Sequence, residues 1–158
     1  MGDTISTRSS PEHPSPEQDI LAGCIAGRVR LLNRTLTSLY DDLLRPTGLT
    51  TAQLNLLVWV ATQGPLSPAE LALHLNMEKS TLSRNLARLR KQEWVRIDPG
   101  TSGPGQLVEI RPLGQERIDE AYPLWLEAQR QAQELLGAKG IQALRTAFDS
   151  ARARGRSG

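Results

Sequence analysis

Only one cysteine, Cys24, stands among 158 residues, so no internal disulfide framework is available and a reducing, cytoplasmic setting is expected. Aromatic residues are scarce at 4%, which leaves the core to Leu, Ala, Ile and Val and favours helices. No apolar run approaches the roughly 20 residues of a membrane span, and the first residues lack the apolar stretch of a secretory signal. Histidine is nearly absent too. His13 and His74 have no Cys, His or acidic neighbours at ligand spacing, so no metal and no cofactor are expected. There is no phosphate-cradling glycine loop and no nucleophile elbow. Asp41-Asp42 and Glu116 to Glu120 read as solvated helix faces rather than acid–base pairs, and the chain is not expected to be an enzyme.

What is present is a mild positive charge, formally +2, that is unevenly spread. The first residues lean acidic, with Asp3, Glu12, Glu17 and Asp19 against Arg8. The stretch from Arg84 to Arg96 holds Arg84, Arg88, Arg90, Lys91 and Arg96 against Glu93 alone. Residues 1–16 are rich in Ser, Thr, Pro and Glu and read as a disordered tail, as do the basic residues 153–158.

Between the tails the apolar spacing is helical. Ile20, Cys24, Leu31, Thr35, Leu39 and Leu43 form one stripe of a long first helix that ends before Pro46. Thr50 with Gln53, and Ser67 with Glu70, have the spacing of capping boxes and start two further helices. Residues 80–92 make the next helix, with Leu82, Leu86 and Leu89 inward. The period then changes. Residues 94–97 and 107–110 read as two strands joined by a Gly/Pro-rich tip. A second long helix follows Pro112, bent at Pro123 and separated from a last short helix by Gly137 and Gly140.

A short capped helix, a tight turn, a polar-faced helix and a hairpin, in that order, suit a DNA-reading unit. A helix entering the major groove needs an apolar face for anchorage, and short hydrogen-bonding side chains and arginine on the other. Lys79, Ser80, Thr81, Ser83, Arg84, Asn85 and Arg88 are read as that outward face. Arginine matches guanine bidentately and Asn85 suits adenine. The helix starts at Thr50 and Ser67 offer N–H groups to phosphates. The bland alternative is an ordinary solvated helix face; the order of elements weighs against it.

With these elements in place, the sequence resembles the MarR family of bacterial regulators over roughly Asp19 to Ala151. The likeness is carried by Leu36 to Asp41, Gly48 to Gln53, Leu71-Ala72, Lys79 to Arg84, Leu86 to Leu89, Trp94-Val95 and Pro112 to Gly114. It implies a mainly α fold with a small β-hairpin wing. Residues 47–112 would form a winged helix-turn-helix, and residues 17–46 and 113–152, from both ends of the chain, a helical dimerisation region. The implied function is that of a homodimeric transcription regulator, a repressor binding double-stranded DNA at a palindromic operator, in many members released by a small aromatic ligand. Family wings usually carry an arginine at the tip. Here residues 98–106 hold no Lys or Arg, so Arg96 and Arg111 at the flanks are the candidates for phosphate contact. A dimeric winged-helix interaction module without DNA binding is the alternative.

Three aromatic residues, Tyr40, Trp59 and Trp125, read as core and as candidate walls of a ligand pocket. Some members sense peroxides through a cysteine near the start of the first helix. That position falls on Ala26 in this chain, and Cys24 is expected to pack as a small apolar side chain.

Overall fold

Capping boxes at Ser15, Thr50 and Ser67 set where three of the helices begin. The computed structural model describes residues 15–99 and 105–155. The tip of the hairpin, residues 1–14 of the first expected tail and residues 156–158 of the second lie outside the described residues. The chain divides into two units, residues 1–35 and 36–158.

In the first unit, α1 (Pro16–Gly23) starts at a full capping box. The Ser15 hydroxyl accepts from the Gln18 N–H, and the Gln18 side chain returns to the Ser15 N–H at 2.9 Å. The expected single long helix is interrupted. Cys24 takes an extended conformation (ψ 106°) before α2 (Ile25–Leu44) resumes. Gly23 and Gly27 flank the break, and glycine is the weakest helix former after proline. Cys24 is exposed, not packed, and its Sγ accepts from the Gly27 N–H at 3.4 Å. Its stripe mates Ile20 and Leu31 are exposed as well, at 67% and 64%. Further along the same stripe Thr35 is exposed, and Leu39 and Leu43 are half-buried.

The second unit holds the core. The end of α2 passes into a 3-10 turn, Arg45–Thr47, closed by Gly48 at φ 73°, a left-handed conformation that glycine adopts freely. Thr50 and Ser67 cap α3 (Thr51–Gln63) and α4 (Pro68–Leu75) with the reciprocal bonds their spacing implies. α5 (Lys79–Lys91) is capped by Gln92 and followed by Glu93 at φ 58°. β1 (Val95–Pro99) and β2 (Gln106–Ile110) pair antiparallel, with Val95 opposite Ile110 and Arg96 opposite Glu109. Leu66 adds a bridge to Val108 through two backbone hydrogen bonds of 3.1 and 2.8 Å. Leu44, Leu56, Leu57, Leu71, Leu89, Val95 and Val108 are fully buried where α3, α4, α5 and the hairpin meet. Each contributes about 1.5–3 kcal/mol of apolar burial.

α6 (Pro112–Gly155) is broken at Gly137 (φ 64°, ψ 168°), as the glycine implies, while Pro123 sits inside the helix without a non-helical dihedral. The helix also runs to Gly155, past the expected start of the tail at 153. Its first turn is clamped to the hairpin. The Trp94 carbonyl accepts the Arg111 N–H at 3.0 Å, and the Arg117 guanidinium lies 5.3 Å over the Trp94 ring. A Cβ on Gly114 would collide with that same carbonyl oxygen and lie 2.7 Å from Ile110 Cδ1. Backbone cannot yield as a flexible side chain can. Gly114→Ala is therefore expected to cost about 2–3 kcal/mol of stability, read as a lowered urea midpoint. A midpoint equal to wild type would show that α6 and the hairpin are not pressed together here.

Candidate nucleic-acid interface

α4 and α5 are joined by a tight turn whose pivot is Asn76, left-handed at φ 46°, ψ 49°. Its N–H bonds back to the Ala72 and Leu73 carbonyls, and Met77 N–H reaches the Ala72 carbonyl at 2.9 Å. These bonds fix the angle at which α5 leaves. α5 then buries Leu82, Asn85, Leu86 and Leu89, an i, i+3, i+4, i+7 stripe. The opposite face presents Lys79, Ser80, Ser83, Arg84, Arg88, Arg90 and Lys91, all exposed, with Thr81 half-buried at its edge. Arg84 Nη2 approaches Thr81 Oγ1 at 3.4 Å.

Asn85 does not belong to that face. It is 9% exposed, and its amide donates to the Thr81 carbonyl at 3.1 Å and approaches Met77 Sδ at 4.0 Å. The expectation that it faces a base is corrected. The signal lies in the spacing, because residue 85 is three beyond Leu82 and four before Leu89.

α5 carries five cations and no carboxylate. Among the described residues none of the five is ion-paired, whereas Arg45, Arg96, Arg111, Arg117 and Arg130 of the same unit each hold a carboxylate. Glu78, at the N-cap of α5, makes no side-chain capping bond, so the first N–H groups of this helix lack a side-chain partner. An open hollow of about 450 Å³ beside it is lined by Pro68, Ala69, Lys79, Ser83, Arg90 and Gln106 among others. The start of α4 therefore adjoins the exposed face of α5.

Two helix starts expected to hold phosphate are differently placed. At Thr50 the end is closed, because Asp41 Oδ1 accepts from the Thr51 N–H at 2.6 Å and from its hydroxyl at 2.7 Å. A carboxylate already occupies that position and repels another anion. At Ser67, Glu70 binds the Ser67 N–H and hydroxyl at 2.8 and 2.7 Å, and these bonds hold its carboxyl below the usual range. Pro68 has no N–H, so of the first turn only Ala69 keeps an uncapped donor.

Arg96 is likewise not free. Asp98 Oδ2 lies 2.5 Å from its Nε, and Glu109 pairs with its Nη2. Of the three rings taken as candidate pocket walls, Trp59 stacks on His74 (centroids 4.5 Å apart, 14° between planes), and Tyr40 is half-buried, which raises its hydroxyl pKa. Trp125 lines a hollow of about 270 Å³, with Tyr122 stacked beside it at 6.1 Å and with Leu54, Asn55, Val58 and Ile118. Sequence reasoning misses Tyr122 and Asn55 because their neighbours come from distant helices.

A model of the MarR family matches residues 47–102. The chain is similar to an uncharacterised HTH-type transcriptional regulator, YwoH, of Bacillus subtilis, 28% identical over 87 residues, which are 55% of this chain and 64% of that relative. The match thus spans less than two thirds of the relative's length. Among solved structures, a mutant MarR from E. coli complexed with operator DNA superposes with a TM-score of 0.75 at 21% identity, over 84% of this chain and 96% of that one. The M. tuberculosis transcriptional regulator MosR in complex with DNA gives 0.70 at 28% identity, over 82% and 97%. The mainly helical fold with a two-stranded wing is the one expected.

The inward placement of Asn85 has a measurable consequence. Asn85→Ala removes a buried hydrogen-bonded amide and is expected to cost about 1–2 kcal/mol of stability by chemical denaturation. An unchanged stability with altered sequence preference would return Asn85 to the outer face.

Proposed function

We propose that this chain, whose residues 47–102 match a model of the MarR family, is a sequence-specific double-stranded-DNA-binding regulator of transcription. It acts as a homodimer on a palindromic site and represses by occupying it. The observation that carries this reading is the face of α5, where five cations with no carboxylate partner among the described residues and two serines stand on a leucine anchor. Arg84 and Arg88, one helical turn apart, read base edges. Lys79, Ser80, Thr81 and Ser83 hold the first turns close to the groove. Arg90, Lys91 and the Ala69 N–H beside Ser67 hold phosphates, an addition in keeping with the charge run. The M. tuberculosis regulator MosR, 28% identical and in complex with DNA, supports the same reading.

A second copy is the partner that the exposed apolar side chains ask for. Leu126, Leu135, Leu144 and Phe148 on α6 are 40–63% exposed, and in the other unit Leu21 and Ile25 are 86% and 76% exposed. Two copies present two α5 helices to half-sites about one turn of DNA apart, which a single copy cannot read. The hollow lined by Tyr122 and Trp125 is apolar with one amide, Asn55, and suits a flat aromatic effector. Such a repressor works on cytoplasmic DNA, and no helix among the described residues is long and apolar enough to cross a membrane. A dimeric module without DNA binding is the second reading, favoured only by the ion-paired Arg96.

The test is binding to a duplex from upstream of its own coding region, titrated at several salt concentrations. Arg84→Ala and Arg88→Ala are each expected to lose about 1–3 kcal/mol of discrimination between that duplex and random DNA. Discrimination equal to wild type in both variants counts against α5 as the reading helix. In sedimentation, the full chain is expected to run as a dimer, and a chain ending before Gly140 to fall toward monomer on dilution. A truncated chain that stays dimeric places the interface elsewhere.

A further inference from the structure

The charges of the hairpin oppose contact with a polyanion. β1 and β2 carry one guanidinium, Arg96, and two carboxylates, Asp98 and Glu109. The antiparallel register puts Glu109 opposite Arg96. Asp98, two residues along the same strand, shares its face. Both carboxylates close on the one guanidinium, Asp98 at 2.5 Å from Nε and Glu109 at Nη2. At the base of the hairpin Arg111 is taken by Glu93 at 3.2 Å. From Ile97 to Ile110 the sequence offers no other Lys or Arg.

A narrow minor groove concentrates negative potential and is read by inserted cationic side chains. Exposed ion pairs are individually weak, so the two bonds to Arg96 are not a lock by their strength. The asymmetry lies in what is left behind. If Arg96 swings to a phosphate, Asp98 and Glu109 stay unpaired beside the same polyanion. One phosphate contact then replaces two carboxylate contacts and adds repulsion. The five cations of α5 carry no such counterweight.

We infer that the Asp98–Arg96–Glu109 cluster silences the hairpin as a DNA-reading element, so that sequence preference is set from the major groove by α5. This rests on the DNA-binding reading above. Randomised duplexes selected by binding test it, using the full-length protein, Arg96→Ala and the double variant Asp98→Asn/Glu109→Gln, each checked for an unchanged thermal melt. The wild type and Arg96→Ala are expected to select the same sequences, without a preference for A·T flanks, and to bind them within about twofold of each other. The double variant frees Arg96. It is expected to bind tighter, to steepen the dependence of log K on log salt by about one unit, and to acquire A·T-rich flanks. Should Arg96→Ala itself lower the melt, Arg96→Gln replaces it. An A·T flank selected by wild type and lost in Arg96→Ala, or about tenfold weaker binding by that variant, overturns the inference while leaving the DNA reading intact. A double variant no tighter than wild type overturns it as well. A wild type that enriches no sequence overturns both.

Discussion

The second unit depends on the burial of one face of α5. Leu82, Leu86 and Leu89 are at most 4% exposed and enter the same core as Leu57 and Val60 of α3, Leu71 of α4 and Val108 of β2. A helix so held cannot roll, and a polar face on a helix that cannot roll has a fixed direction. The tight turn at Asn76 and the capped start at Ser67 serve the same end, since they determine how α5 is delivered to its place. Removing any of the three leucines to alanine takes away about 2–5 kcal/mol, comparable with the whole stability of many small domains.

The parts of the fold governed by neighbours in sequence are legible from the residues alone. Thr50 with Gln53 and Ser67 with Glu70 announce their helices because a capping box is a contact across three residues. The hairpin announces itself by a change of period and a Gly/Pro tip, and the break of α6 by Gly137. Contacts that depend on how distant segments meet are not legible. Nothing in the local pattern around Thr50 indicates that Asp41 closes the helix start, and nothing around Arg96 fixes that Glu109 stands opposite, since that is a matter of register. The rings of Tyr40, Trp59 and Trp125 come from three helices whose angles the sequence does not state, so which of them borders a hollow is not legible either. Asn85 is a different case. Its inward phase is computable from the spacing of the leucines, but its chemistry suits a base and points the reading outward.

The expected apolar stripe of the first helix has a similar lesson. Ile20, Cys24 and Leu31 recur at helical spacing, yet all three are exposed and the helix breaks at Cys24. Periodicity records which face seeks cover. It does not say whether that cover comes from the same chain. Local propensity decides the rest, for Gly23 and Gly27 stand around the break.

The bond from Asp41 to Thr51 has a mechanical meaning. Three residues of 3-10 turn followed by glycine make a natural hinge between α2 and α3. This one is pinned. Asp41 reaches across it to the Thr51 N–H and hydroxyl, and the Thr47 hydroxyl binds the Leu44 carbonyl at 2.7 Å while accepting the Leu49 N–H. A joint without slack transmits torque instead of dissipating it. A displacement of the end of α2 therefore carries α3 with it, together with the leucine core that α3 shares with α5.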